Sequence, residues 1–178
     1  IQVRLGAQIT ALERSGANIA VSLGDGTKLE TEAVMHAIGR EPNTAGFGLD
    51  RVGVALDDKG AVQVDAFSQS SRSHIHAIGD VTNRLQLTPV AIREGHAFAD
   101  TVFGKSPWAV DHTNVPTAVF SQPALASVGL SEEAARAQGM EVKVFRSDFR
   151  PMKHTISGRQ ERTLAKLVVD TKTDRVVG

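Results

Sequence analysis

Ala77-Ile78-Gly79-Asp80-Val81, followed by Leu87-Thr88-Pro89-Val90-Ala91, is the stretch on which the reading of this chain turns. Ile75-His76-Ala77-Ile78 predicts a short strand that Gly79-Asp80 ends. Thr88 is a good N-cap and Pro89 is favoured at the first helical position. Val90, Ile92, Phe98, Ala99, Val102 and Phe103 then supply an apolar stripe, and Gly104 closes the helix. A carboxylate just past a buried strand lies where open sheets bind ligands, so Asp80 can accept hydrogen bonds from a sugar or sugar-alcohol chain. The first amides of the following helix lack intrahelical partners, and they and the helix dipole favour an electron-rich oxygen nearby. The same residues also fit a plain strand-end turn and an ordinary capped helix.

Upstream, residues 1 to about 40 read as a β-meander. Ala7–Leu12 and Ile19–Leu23 alternate, and Gly24-Asp25-Gly26-Thr27 supplies the positive-φ residues of a tight hairpin whose return strand is Lys28–Thr31. Ala33–Ile38 is a mostly apolar run ending in Gly39, which predicts a buried strand. Residues about 41–112 are mixed, with Val52–Leu56 and Ala61–Val64 flanking the turn Asp57-Asp58-Lys59-Gly60. From about 113 the pattern is antiparallel α+β. Strands are expected at Thr117–Phe120, Ala126–Gly129, Val142–Phe145 and Thr163–Val169, and Asp170–Asp174 turns into a last strand. Ser131 caps a short helix with Glu132 and Glu133 in its first turn and Gly139 at its end.

The composition excludes several classes. With 178 residues and 41% hydrophobic residues, the chain is long enough for roughly one to two domains with a buried core. Twenty Lys+Arg balance twenty Asp+Glu, so the footprint of a nucleic-acid binder or a basic membrane-surface protein is missing. Zero cysteines exclude thiol chemistry, Cys-based zinc sites and disulfide staples within these residues. No apolar run approaches the ~18 residues of a transmembrane helix. No nucleic-acid or membrane partner is expected, and a cytoplasmic setting is. His36, His74, His76, His112 and His154 show no metal-ligand spacing, and Trp108 reads as a packing residue.

Five segments together carry a resemblance. They are Ala37-Ile38-Gly39-Arg40-Glu41-Pro42-Asn43-Thr44, Ala77-Ile78-Gly79-Asp80-Val81, Leu87-Thr88-Pro89-Val90-Ala91, Phe120-Ser121-Gln122-Pro123 and Val128-Gly129-Leu130. In this order and near this spacing they resemble the later half of the FAD-dependent pyridine-nucleotide disulfide oxidoreductases. Within that family the helix start, the Phe-Ser-x-Pro strand end and Phe149-Arg150-Pro151-Met152 are most similar to the branch that reduces glutathione disulfide. The dihydrolipoamide dehydrogenase branch ranks second. A non-catalytic dimerisation or interaction module is the alternative from a different class.

The resemblance implies a division into 1–40, the tail of an NADPH-binding domain; 41–112, a second FAD-binding segment; and 113–178, part of an antiparallel-sheet dimerisation domain. The fold class is then α/β and α+β. It implies that Asp80 meets the FAD ribityl chain, that Gly79 allows close approach, and that Leu87 and Thr88 bring the helix-start backbone to the isoalloxazine. A helix end there would raise the flavin's electron affinity. Gly39 falls near the nicotinamide nucleotide, Arg40 serves either cofactor, and Gln86 and Ala118 lie near the nicotinamide ring. His96 stands where some members hold an arginine that contacts glutathione, with Arg93 one turn before it. A homodimer is implied as well.

The family's hydride path from NADPH to FAD, then through a cysteine pair to the disulfide, needs cysteines and a His-Glu pair that these residues lack, and no Gly-x-Gly-x-x-Gly fingerprint occurs. The chain opens on Ile1 and closes on Arg175-Val176-Val177-Gly178. It is therefore expected to be a piece of a longer polypeptide, inactive alone.

Overall fold

Gly24-Asp25-Gly26-Thr27 turns the chain as expected in the computed structural model, which describes residues 1–178. Asp25 Oδ1 accepts the Thr27 N–H at 2.8 Å and Gly26 takes φ +85°. That hydrogen bond is the main cause holding the Asp25 carboxyl below its ordinary range. Around the turn, β1 (Ile9–Ser15), β2 (Asn18–Leu23) and β3 (Lys28–Thr31) form an antiparallel sheet in the order β1-β2-β3. Val21 and Leu23, two apart on central β2 and so on one face, are its buried core. These strands belong to a first unit, Ile1–Asn43.

Ala33–Ile38 departs from the expectation of a buried strand. It enters no ladder, and Met35 and Ile38 are exposed. An apolar run becomes a buried strand only between neighbours that offer it hydrogen bonds. Within residues 1–178 the sheet of this unit ends at β3, so the run finds no such partner there.

The second unit is Thr44–Gly178. The turn at Asp57–Gly60 forms, with Asp57 Oδ1 accepting the Lys59 and Ala61 amides at 2.9 and 2.8 Å. The flanking segments are not regular strands, since a single bridge, Leu56↔Val62, joins them. Side chains replace the missing ladder: Ser71 Oγ takes the Ala55 N–H at 2.9 Å, and the Gly53 carbonyl accepts from Ser71 Oγ and Arg72 Nε. Val54, Ala61 and Val62 are buried beneath these loops. Ile75–Ile78, also expected as a strand, makes only the bridge Gln69↔His76, because its amides and carbonyls return to the adjacent loop, as in Ala77 N–H to Ser68 O at 3.0 Å.

Helix α1 spans Thr88–Val102. Its N-cap is Leu87 rather than Thr88, and no side chain caps it. The reason is local: Leu87 is extended, and its carbonyl takes both the Val90 and Ala91 amides at 3.0 Å, so the helix begins one residue earlier than the Thr-Pro pair suggests. The buried face is Val90, Glu94 and Ala97; of the expected apolar stripe only Val90 is buried, while Ile92, Val102 and Phe103 are exposed. Phe98 lies against His76, with ring centroids 5.0 Å apart.

The remaining sheets are antiparallel. β4 (Thr117–Val119) and β5 (Leu125–Ser127) form a hairpin, and β6 (Val142–Phe149), β7 (Thr163–Asp170) and β8 (Arg175–Val176) form a sheet in the order β6-β7-β8. Ser131 caps α2 (Glu132–Ala137) by accepting the Ala134 N–H at 3.0 Å, as the sequence predicts. Ala135, Val168 and Val169 are buried. A short helix α3 (Lys153–Ser157), not foreseen from the sequence, follows Pro151. Gly129, at φ +76°, lets the chain after β8 approach, with Leu130 N–H donating to Val177 O at 2.8 Å and Val168 N–H to Gly178 O at 2.7 Å. A β-carbon on Gly129 would collide with Val177 O, and one on Gly178 with Leu130 O. Helix and sheet are thus mixed, and every strand pair is antiparallel.

Candidate functional site

Gly79 and Asp80 open a single 3-10 turn, Gly79–Thr82, in place of a strand end. Gly79 is required there twice over. Its φ is +69°, and a β-carbon would stand 3.0 Å from Ala91 Cβ on α1. The turn is closed by Thr82 Oγ1 donating to Gly79 O at 2.8 Å and by Asn83 N–H donating to Asp80 O at 3.0 Å, with Asn83 at φ +52°. Val62 N–H to Val81 O ties it to the loops behind. Asp80 is half-buried on this fixed backbone.

Beneath the turn lies a side chain that the sequence pattern did not single out. Glu94 is 1% exposed, and its Oε2 accepts the Gly79 N–H at 2.6 Å. Its Oε1 faces Arg84 Nη2 at 3.0 Å and His112 Nε2 at 2.6 Å. A carboxylate oxygen only accepts, so His112 Nε2 carries the hydrogen. Arg84 also donates to Ser68 Oγ at 2.9 Å and to Thr82 Oγ1 at 3.3 Å. The signal was present in the sequence: 90, 94 and 97 are spaced as a helix core face, and a Glu at the middle position requires charged or N–H partners.

Of the expected site residues, Gly79, Asp80, Gln86, Leu87 and Thr88 fall together on the turn and the start of α1. Gln86 Nε2 donates to Asn83 Oδ1 at 2.9 Å. In the first turn of the helix Pro89 has no N–H, and the Val90 and Ala91 amides are taken by Leu87 O, which leaves the Thr88 amide outside the ladder. Ala118 sits in the separate β4–β5 hairpin opposite Ala126. Gly39, at φ +128°, and Arg40 lie on exposed irregular chain of the first unit. His96 is exposed on α1, and Arg93 is engaged, its guanidinium 5.1 Å from the Trp108 ring centroid. Trp108 packs on the helix: its Nε1–H donates to Asp100 Oδ2 at 2.9 Å and its N–H to Thr101 Oγ1 at 3.2 Å.

Residues 1–95 match the family described as pyridine nucleotide-disulphide oxidoreductase. The chain belongs to this family. Residues 115–178 match the dimerisation domain of the pyridine nucleotide-disulphide oxidoreductases. The chain is 55% identical over 178 residues to a glutathione reductase of Burkholderia cepacia, a match covering 100% of this chain and 40% of that protein. It is 47% identical over 159 residues to a trypanothione reductase of Trypanosoma congolense, covering 89% of this chain and 32% of that protein. Among solved structures, the HOCl-induced flavoprotein disulfide reductase RclA from Escherichia coli superposes with a TM-score of 0.85 at 29% identity, over 96% of this chain and 39% of that one. LpdA from Mycobacterium tuberculosis gives 0.79 at 27%, over 96% and 37%. The chain therefore spans about a third to two fifths of the length of these proteins. No helix in it is long and apolar enough to cross a membrane.

Proposed function

We propose that residues 1–178 work within a longer NADPH-dependent flavoprotein that reduces glutathione disulfide, as a cytoplasmic homodimer, and that they are inactive alone. In this reading 1–40 closes an NADPH-binding domain, 41–112 is the second FAD-binding segment, and 113–178 is part of the dimerisation domain. The observation that carries it is the union of a half-buried carboxylate with a helix start: the Gly79–Asp80 turn packs on α1 at Ala91 and is bonded to Glu94, in a chain 55% identical to a glutathione reductase.

The residues fit a flavin by their chemistry. Asp80, on a turn held by hydrogen bonds at Gly79 N–H, Gly79 O, Asp80 O and Val81 O, accepts hydrogen bonds from ribityl hydroxyls. The Thr88 amide, outside the helical ladder, and the positive end of α1 favour negative charge on an adjoining ring, with Leu87 setting the helix start. When bound, FAD supplies the step that takes hydride from NADPH and passes electrons toward the disulfide. Gly39, Arg40, Gln86 and Ala118 serve the nicotinamide nucleotide, Arg40 serving either cofactor, and His96 receives a carboxylate of the substrate.

A second reading, a reductase of the same family acting on another disulfide, is favoured by the 47% identity to a trypanothione reductase. The test is the full-length protein carrying residues 1–178. It is expected to purify yellow, release FAD on heating and oxidise NADPH faster with glutathione disulfide than with trypanothione disulfide or lipoamide. Faster turnover of either competitor overturns the substrate assignment. A colourless full-length protein that takes up no FAD overturns the flavoprotein reading and leaves a binding module.

A further inference from the structure

Glu94 is the most enclosed large side chain of the protein, and nothing in the hydride path uses it. A residue placed at this register for packing alone would be apolar, as Val90 and Ala97 are. Burying a carboxylate costs heavily unless it is fully partnered, and buried ion pairs seldom improve on well-packed hydrophobic side chains for stability alone. The arrangement of its two oxygens says what the charge does instead. Oε2 takes the Gly79 amide, one peptide before Asp80. Oε1 takes Arg84, which reaches back to Thr82 in the same turn, and His112, at the end of the segment that returns along α1 past Trp108.

We propose that Glu94 is the positioning residue of the Gly79–Asp80 turn, orienting the Asp80 carboxylate toward the flavin ribityl chain through the Gly79 amide. This deepens the FAD reading above and rests on it. Glu94 touches neither cofactor nor substrate. It fixes the one backbone N–H whose movement would rotate the following residue. A bond at 2.6 Å to a charged acceptor restrains that peptide more tightly than a neutral partner would. The contact of Gly79 with Ala91 limits the turn from the same side.

The experiment is a double-mutant cycle in the full-length holoenzyme, reading FAD dissociation constants for Glu94→Ala, Asp80→Ala and the double variant, with apoprotein melting measured separately. Loss of the orienting bond is expected to weaken FAD binding about tenfold in the parent background. It is expected to change it by less than about twofold once Asp80 is already Ala, because the two act through one contact. Glu94→Gln keeps the volume and turns an amide N–H2 toward at least one of the three donors. It carries the same comparison should the Ala variant not fold. Val168→Ala, a core truncation in β7, serves as the stability-matched control, lowering the melting temperature without the FAD loss.

The proposal is overturned if Glu94 variants lower only the melting temperature, or if their FAD loss is equal in both backgrounds. If Asp80→Ala itself leaves FAD affinity unchanged, the ribityl reading fails and the positioning role fails with it, a result separate from the first two.

Discussion

Replacing Gly79 by Ala tests the contact on which the turn-and-helix arrangement depends. Two costs are expected. At φ +69° an L-residue with a β-carbon is strained by about 1–2 kcal/mol. The new methyl would also lie 3.0 Å from Ala91 Cβ, closer than ordinary carbon contact, and overpacking of this kind costs about 1–3 kcal/mol. Gly139→Ala separates the two. Gly139 has φ +77°, but a methyl placed there would meet nothing within 4 Å, so it carries strain alone. The reduction in unfolded-state freedom on going from Gly to Ala is common to both and cancels. In urea unfolding of the full-length apoprotein, Gly79→Ala should be less stable than Gly139→Ala by about 1–3 kcal/mol. Ala91→Gly alone should cost about 1 kcal/mol for helix propensity, yet combined with Gly79→Ala it should recover most of the overpacking. Equal losses at positions 79 and 139, or a coupling below about 0.5 kcal/mol between 79 and 91, would refute the close approach of turn and helix.

Other expectations follow from the same geometry. Asp80→Ala in the full-length protein should weaken FAD binding by about 1.5–3 kcal/mol, measured by titration of the apoprotein, and unchanged affinity would remove Asp80 from the site. Ser131→Ala should cost about 1 kcal/mol in thermal unfolding through loss of the α2 cap, and a neutral result would mean water replaces the hydroxyl. Lys166 first, then Arg136, hold the Glu132 carboxyl below its ordinary range. A depressed carboxyl stabilises the fold above the ordinary glutamate range and loses that contribution as the pH falls through its folded value. Stability should therefore decline on acidification from about pH 5 downward, and Lys166→Ala should flatten that decline. Parallel acid titrations of the two proteins would count against the pairing.

Local chemistry was legible in the sequence where a few residues settle the matter between themselves. Gly24–Thr27, Asp57–Gly60 and Ser131 carry their turn or cap in adjacent side chains, and each forms as expected. Ala33–Ile38 was not legible, because apolarity announces burial without saying whether a neighbouring strand exists to pair with. The α1 stripe failed for a different reason. Ranking residues by apolarity selects Ile92, Val102 and Phe103, whereas the helix buries the face that holds Glu94, whose partners Arg84 and His112 come from outside the helix. The segment holding Asp80 was found, but the carboxylate beneath it was not, since a lone Glu in a helix usually signals a solvated position. Leu87 took the cap from Thr88 because a backbone carbonyl, invisible to side-chain preferences, collected both amides.

The hydrogen bonds that join Leu130 and Val168 to the residues after β8 run between main-chain atoms. Bonds of this kind have no rotamers through which to relax. Any substituent introduced at 129 or 178 would prise the Leu130 and Val168 amides from their acceptors before disturbing the packed interior. Damage there would first register as faster deuterium uptake at those two amides, while the surroundings of buried Val169 stayed as they are.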